Sequence, residues 1–374
     1  MKLPPSLRRA LADLTAIATR RHMRAAVVGG CVRDAMLGRP TRDLDVLVEG
    51  DAGALAELCA KSQGAKVETF GRFGTARLTL SDGARLDLAG ARAEHYPESA
   101  DLPVVRPSTM EDDLARRDFT VNAMAQVLEN GGVGRLLDPF RGVDDLRRGM
   151  LRVLHPASFR DDPTRLYRAA RYAGRLRLRL EPGTAKLFKD SVARKDPARL
   201  SRERLRQELM RILEERDPLH AFDLVERWGL AKFLHQRFKV PESLPRADDP
   251  VVRLGLIAAG MDRKDGEEFV SSLPLAREDA SVILSALKAA DEKETPSAPF
   301  EPRASTILRL AVPGLPRSAL ARRFLTGEDL KGTAVVPGPA YSELLDRAAK
   351  DQWQGLVTSP ADARRWLKRA LKKA

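Results

Sequence analysis

Two aspartates flanking one leucine, Asp43-Leu44-Asp45, open a β-type run shortly after a double glycine, Gly29-Gly30. Side chains alternate along a strand, so both carboxylates share a face while Leu44 turns to the core. Held together they repel unless a cation joins them. Hard oxygens on one face suit Mg²⁺, which takes one or two carboxylates plus substrate phosphates, the clamp of metal-assisted phosphoryl transfer. Taken alone, the pair could equally be a solvated strand face beside Arg42. The preceding strand, double glycine and helix start tip the balance. Gly29 and Gly30 let the backbone approach an anion, and a helix N-terminus presents free N–H groups. Arg33 near the first turn could pair with a triphosphate. Asp87, in Arg85-Leu86-Asp87-Leu88, is either a third ligand or an exposed strand residue.

Two later segments add candidates. Between Glu111 and Ala125, Arg116 and Arg117 could reach a nucleotide phosphate or ribose, with Asn122 satisfying local backbone. A helix laced with salt bridges is the plainer reading of that stretch. In the run from Asp161 to Arg171, a helix starting near Pro163 places Asp162 and Arg165 on one face, with Arg168 and Arg171 continuing the row. A carboxylate beside a guanidinium offers an acceptor next to a donor. Cytosine and adenine each present an amino donor beside a ring-nitrogen acceptor; uracil and guanine present a carbonyl beside a ring N–H. The pair could therefore accept C and A and reject U and G, because a buried polar group left unpaired costs about 1–3 kcal/mol. An ordinary ion pair at a helix start has the same spacing.

The elements that must position these residues follow from hydrophobic pattern. Ala25–Gly30, Leu44–Glu49, Ala76–Leu80 and Arg85–Ala89 read as strands bounded by turn residues, so the chain to about Met150 forms an α/β or α+β domain. Leu7, Leu11, Leu14 and Ala18 have helical spacing. After Leu151 strand signals stop, and an all-α remainder is expected. Ser201 reads as an N-cap for a helix with Leu205, Leu209, Ile212 and Leu213 as its apolar stripe. Proline-rich breaks near 240–250, 295–302 and 312–316 divide the rest into short helical units. The closing DARRWLKRALKKA reads as a basic amphipathic helix, which either touches RNA or caps its domain with a solvated face.

Composition narrows the classes. The net charge of +13 is what a polyanion partner would favour, though an arginine-rich composition alone could produce it. With aromatics at only 5%, single-strand binding by stacking platforms is disfavoured. Two cysteines, Cys31 and Cys59, make no disulfide framework and read as reduced thiols. Neither a membrane span nor a signal peptide is apparent, which leads us to expect a cytoplasmic protein.

Together, GGCVRD with its DLD pair, RRDFTVNAMA, DPFRGVDDL, DDPTRLYRAARY and SRERLRQEL resemble the bacterial-type (class II) tRNA nucleotidyltransferases, or CCA-adding enzymes, which share a family with bacterial poly(A) polymerases. The motifs keep the family's order and spacing over roughly the first 215 residues. The resemblance implies a polymerase-β-like nucleotidyltransferase head over 1–150, a helical neck with a base-selecting helix over 151–215, and an all-α, RNA-binding body and tail over 216–374. It implies Mg²⁺ on Asp43 and Asp45, nucleotide contacts from Gly30, Arg33 and Arg117, and base selection by Asp162, Arg165, Arg168 and Arg171. It also implies CTP and ATP as substrates, with the tRNA acceptor stem and elbow as partner. Where the family usually has Glu-Asp and Arg-Phe, this chain has Asp161-Asp162 and Arg171-Tyr172. The C-terminal metal-hydrolase domain of some members has no counterpart in it. Phe73-Gly74-Thr75-Ala76 looks more like the CCA-adding branch, and a full-length loop over Ala91–Pro103 favours an enzyme able to add A. The alternatives are an A-adding or CC-adding partial enzyme, a poly(A) polymerase, a non-catalytic RNA-binding protein on a decayed head, and a transferase acting on a small molecule.

Overall fold

The computed structural model describes residues 3–372 apart from 42, 71–73, 96, 98–102, 130, 241, 297 and 299. Arg42, Phe73 and much of the 91–103 loop therefore lie outside the described residues. The chain divides into two compact units, Met1–Leu200 and Ser201–Ala374. The division falls inside the stretch expected as a neck, so that the helix expected to select the base belongs to the first unit and the Ser201-capped helix to the second.

The first unit is built on strands β1 (Arg24–Val28), β2 (Asp43–Glu49), β3 (Lys66–Phe70), β4 (Thr75–Thr79), β5 (Arg85–Gly90), β6 (Arg92–His95), β7 (Val104–Pro107), β8 (Ala125–Glu129) and β9 (Gly132–Leu137). Seven of them form one mixed sheet in the order β3-β4-β5-β2-β1-β8-β9, while β6 and β7 pair separately. Only β2 and β5 run parallel within the large sheet. Its helices are α1 (Pro5–Arg20), α2 (Gly30–Met36), α3 (Ala52–Gln63), α4 (Met110–Ala115), α5 (Gly142–Arg147), α6 (Ser158–Asp161), α7 (Thr164–Leu176) and α8 (Pro182–Ala193).

The two faces of the sheet bury different partners. Leu44, Val46 and Val48 of β2 and Val27 of β1 pack into one cluster with Leu7, Leu11 and Leu14 of α1 and Leu55 of α3. Leu47 of β2 with Ala26 and Val28 of β1 packs on the other side with Met110 and Leu114 of α4. Because a strand alternates, Asp43 and Asp45 fall on the face of Leu47, the one covered by α4 and the chain that follows it. Cys31 and Cys59 are both buried and free.

One strand pairing lies beyond the expected boundary: β10 (Met150–Leu151) runs parallel to β11 (Arg179–Leu180). Two residues are too short for any period to register, which is why the pattern after Leu151 reads as helix alone.

The second unit consists of helices: α9 (Arg202–Leu213), α10 (Leu219–Arg227), α11 (Ala231–Leu234), α12 (Pro250–Ala259), α13 (Arg263–Ser272), α14 (Arg277–Glu292), α15 (Pro302–Ala311), α16 (Gly327–Leu330), α17 (Pro339–Trp353) and α18 (Pro360–Leu371). The Ser201 hydroxyl accepts the Arg204 N–H, and Leu205, Leu209, Ile212 and Leu213 are buried as their spacing requires. A pair of prolines, Pro250 and Pro302, open helices at first-turn positions, where a missing N–H costs nothing. No helix among the described residues is long and apolar enough to cross a membrane.

Candidate active site

Strand register gathers the carboxylates. Across the parallel β2–β5 pair, Asp43 lies opposite Arg85 and Asp45 opposite Asp87. Antiparallel β4 then sets Arg77 opposite Asp87. Asp43 takes two hydrogen bonds from Arg85, at 2.9 and 3.1 Å, and Asp87 takes two from Arg77, at 2.7 and 2.9 Å. Asp45, between them, has no ion-pair partner among the described residues. Partial exclusion from water raises its carboxyl above the usual range, and the charges of Asp87 and Asp43 raise it further, with Arg117 opposing. The two ion pairs are solvent-exposed and correspondingly weak, worth about 0–1 kcal/mol each. They can open without disturbing the fold.

The glycine turn stands beside this row. Gly29 has φ +74°, a left-handed conformation that L side chains rarely adopt. A Cβ there would also lie 2.6 Å from Arg117 Nη1. Gly29 is thus fixed both by its own backbone and by a guanidinium resting against it. Since α2 has only seven residues, what the turn offers an anion is close approach to the backbone, more than a long helix dipole. Arg33, in its first turns, is 2% exposed. It donates to Asp34 at 2.9 Å and to the side-chain oxygen of Asn122.

After α4 the chain turns, and Asp113 organises the two arginines that follow. Its buried carboxylate takes Arg116 at 2.6 Å and Arg117 at 3.0 Å. Glu94 of β6 is a second partner of Arg116, at 2.8 Å. Asn122 does more than satisfy local backbone. While its oxygen receives Arg33, its amide donates to Asp118 at 2.9 Å. Asp118 in turn receives Arg168 of α7. A continuous polar line therefore joins α2 to α7 through the segment between α4 and β8.

On α7 the expected row is only partly a row. Asp162 precedes the helix, with φ −135° and ψ 92°, and caps it by accepting the Thr164 N–H at 3.0 Å. Arg165 is 4% exposed, donating to Ser158 Oγ at 2.6 Å and to the Arg116 carbonyl at 2.7 Å. The Asp162–Arg165 separation is 4.0 Å. Arg165 also borders a cavity of about 460 Å³ with Asp161, His155, Arg116 and Glu94. Burial and Arg165 hold the His155 imidazole below its usual pKa, with Asp161 opposing. Arg168 and Arg171 face the ring of Tyr172, with Cζ 5.6 and 4.6 Å from its centroid.

The structure thus brings Asp43, Asp45 and Asp87 into one row, Gly29 against Arg117, and Arg33 with Arg168 and Arg171 around Tyr172. Asp113 and Asp118 escaped the sequence reading, and Tyr172 entered it only as a departure from the family's Arg-Phe, with no role. For Asp113 a signal existed in its i,i+3 and i,i+4 spacing to Arg116 and Arg117; Asp118 and Tyr172 act across elements far apart in sequence.

Residues 25–152 match the poly A polymerase head domain. The CC-adding tRNA nucleotidyltransferase of Deinococcus radiodurans is 36% identical over 344 residues, covering 91% of this chain and 87% of that protein. The chain belongs to the tRNA nucleotidyltransferase family. Within it, the A-adding enzyme of Halalkalibacterium halodurans is 41% identical over 218 residues, 58% of this chain and 51% of the relative. The chain spans between 26% and 51% of the length of the A-adding relatives it matches. Among solved structures, a CCA-adding enzyme in an apo form superimposes with a TM-score of 0.75 at 27% identity, covering 98% of this chain and 96% of that one. The poly A polymerase head match ends before α7, so the carboxylate row and Arg117 lie inside it and the arginines of α7 outside.

Proposed function

We propose that the chain adds C and A nucleotides to the 3′ end of tRNA without a template, from CTP and ATP with Mg²⁺. The observation that carries this is the row of Asp43, Asp45 and Asp87 beside the Gly29 turn, with Arg117 at its edge. Family membership supports the same reading.

The donors fit the metal. They are hard carboxylate oxygens on one face, set side by side by the register that places Asp45 opposite Asp87. Asp43 and Asp45 would hold the ion, with Asp87 as third carboxylate. When bound, such a cation neutralises triphosphate charge and acidifies the RNA 3′-hydroxyl. The remaining work belongs to the chain. Gly29 and Gly30 admit the triphosphate close to backbone, and Arg33 and Arg117 stand where its charge would gather. Asp162 and Arg165 select the base, with Arg168 and Arg171 continuing that surface. Residues 1–150 act as head, 151–215 as neck and 216–374 as the RNA-holding body and tail. Little covalent chemistry falls to side chains; positioning and fixed charge supply most of the rate.

A second reading, addition of CC alone, has one specific support: the relative that the chain covers at 87% of its length is named for that reaction. The test is extension of tRNA transcripts ending before CCA, after C and after CC, with each nucleotide supplied singly and together. Addition that stops at CCA supports the first reading. A stop at CC supports the second, growth on the CC-ending transcript alone indicates an A-adding enzyme, and a long A ladder or no extension overturns the proposal.

A further inference from the structure

We infer that Tyr172 is a positioning residue for the incoming nucleotide, its ring holding the guanidinium groups of Arg33, Arg168 and Arg171 in one array. The inference rests on the nucleotidyl-transfer reading above. The Cζ atoms of the three arginines lie 5.3, 5.6 and 4.6 Å from the ring centroid. Arg33 arrives from α2 and the other two from α7, so a single ring joins the glycine turn to the base-selecting helix. Its own orientation is set by the core. Phe119, fully buried, meets it edge-on with centroids 6.0 Å apart and planes at 80°.

The chemistry explains why an aromatic stands there. Three like charges in a partly dry site repel. Asp34 on Arg33 and Asp118 on Arg168, at 2.9 and 2.6 Å, offset part of that repulsion from outside the cluster. The ring face attracts all three guanidinium groups through its quadrupole and gathers them at one point without adding a further negative charge where a triphosphate would arrive. The hydroxyl is a minor partner, accepting Arg168 Nη2 at 3.5 Å, the outer limit of a hydrogen bond. The ring, rather than the hydroxyl, carries the role.

The test replaces Tyr172 in the full chain with phenylalanine and with mono-, di- and trifluorinated phenylalanines, which keep shape while draining the ring face of negative potential. Equilibrium binding of ATP and of CTP with Mg²⁺ is measured without RNA, alongside nucleotide KM and kcat for tRNA extension. Y172F is expected within about twofold of the parent chain. Each fluorine should weaken binding and raise KM, reaching roughly tenfold at three fluorines, with kcat and thermal unfolding unchanged. A flat series in a chain that binds nucleotide, or a loss confined to kcat, overturns the role of Tyr172. A parent chain that binds neither nucleotide and extends no RNA overturns the transferase reading and this inference together.

Discussion

Arg168 donates through both Nε and Nη2 to one oxygen of Asp118, at 2.9 and 2.6 Å, tying α7 to the segment between α4 and β8. Burial by itself would raise the Asp118 carboxyl. Arg168, Asn122 and Arg165 outweigh that and bring it down from 3.8 to about 2. A carboxylate with a depressed folded-state pKa stabilises above its unfolded value and loses that contribution as pH falls through the folded one. Asp118→Asn should therefore cost about 2 kcal/mol near pH 7. The difference between parent and variant unfolding free energies should shrink as pH falls from about 4 towards 2. Urea melts at stepped pH measure it, and a difference independent of pH contradicts the assignment.

Asp43 sits in an exposed ion pair, so its removal separates chemistry from folding. Asp43→Ala should change stability by less than about 0.5 kcal/mol and lower single-turnover extension by at least roughly a thousandfold. Binding of tRNA should stay within a few-fold. Retained turnover would remove Asp43 from the metal site.

Gly29→Ala meets two obstacles of different kinds. The backbone strain at φ +74° costs about 1–2 kcal/mol. The new Cβ meets the guanidinium end of Arg117, which must shift against its hold on Asp113, so the substitution displaces that guanidinium from the site. Nucleotide KM should rise by about tenfold or more, beyond what loss of folded protein explains. A KM that stays put while the melting temperature drops would show that Arg117 does not touch nucleotide.

Base selection is best probed with Asp162→Asn, because the amide oxygen can still cap Thr164 while the charge is gone. Stability should shift by less than about 1 kcal/mol. Misincorporation of U or G relative to C and A should rise about tenfold or more, read by sequencing extended 3′ ends. Unchanged choice of nucleotide would refute the acceptor–donor pairing of Asp162 with Arg165.

What the sequence disclosed, and what it withheld, follows the range of the interactions. The alternation around Asp43-Leu44-Asp45, the stripe of α1 and the Ser201 cap are local, and each is legible in a window of a few residues. Strands β3, β8 and β9 lack a clean apolar–polar alternation, and β8 meets β9 with a register shift between Gln126 and Leu128, so their existence depends on neighbours already in the sheet. The helix start near Pro163 is legible too, and Asp162 stands just before it, where its carboxylate accepts the Thr164 N–H. Arg165, expected beside Asp162, is held also by the Arg116 carbonyl, a partner 49 positions away in the chain. Spacing can pair Asp113 with Arg117; it cannot bring Tyr172 to Arg33.

Arg85 on Asp43 and Arg77 on Asp87 give the carboxylate row stand-in cations drawn from its own sheet. Three acids can therefore be assembled on adjacent strands while the chain folds, with no need for an ion to arrive first. On the proposed metal reading, an ion bound by Asp43 and Asp45 would have to compete with the Arg85 guanidinium, so the concentration it needs would depend on an arginine that the carboxylate row carries in its own sheet.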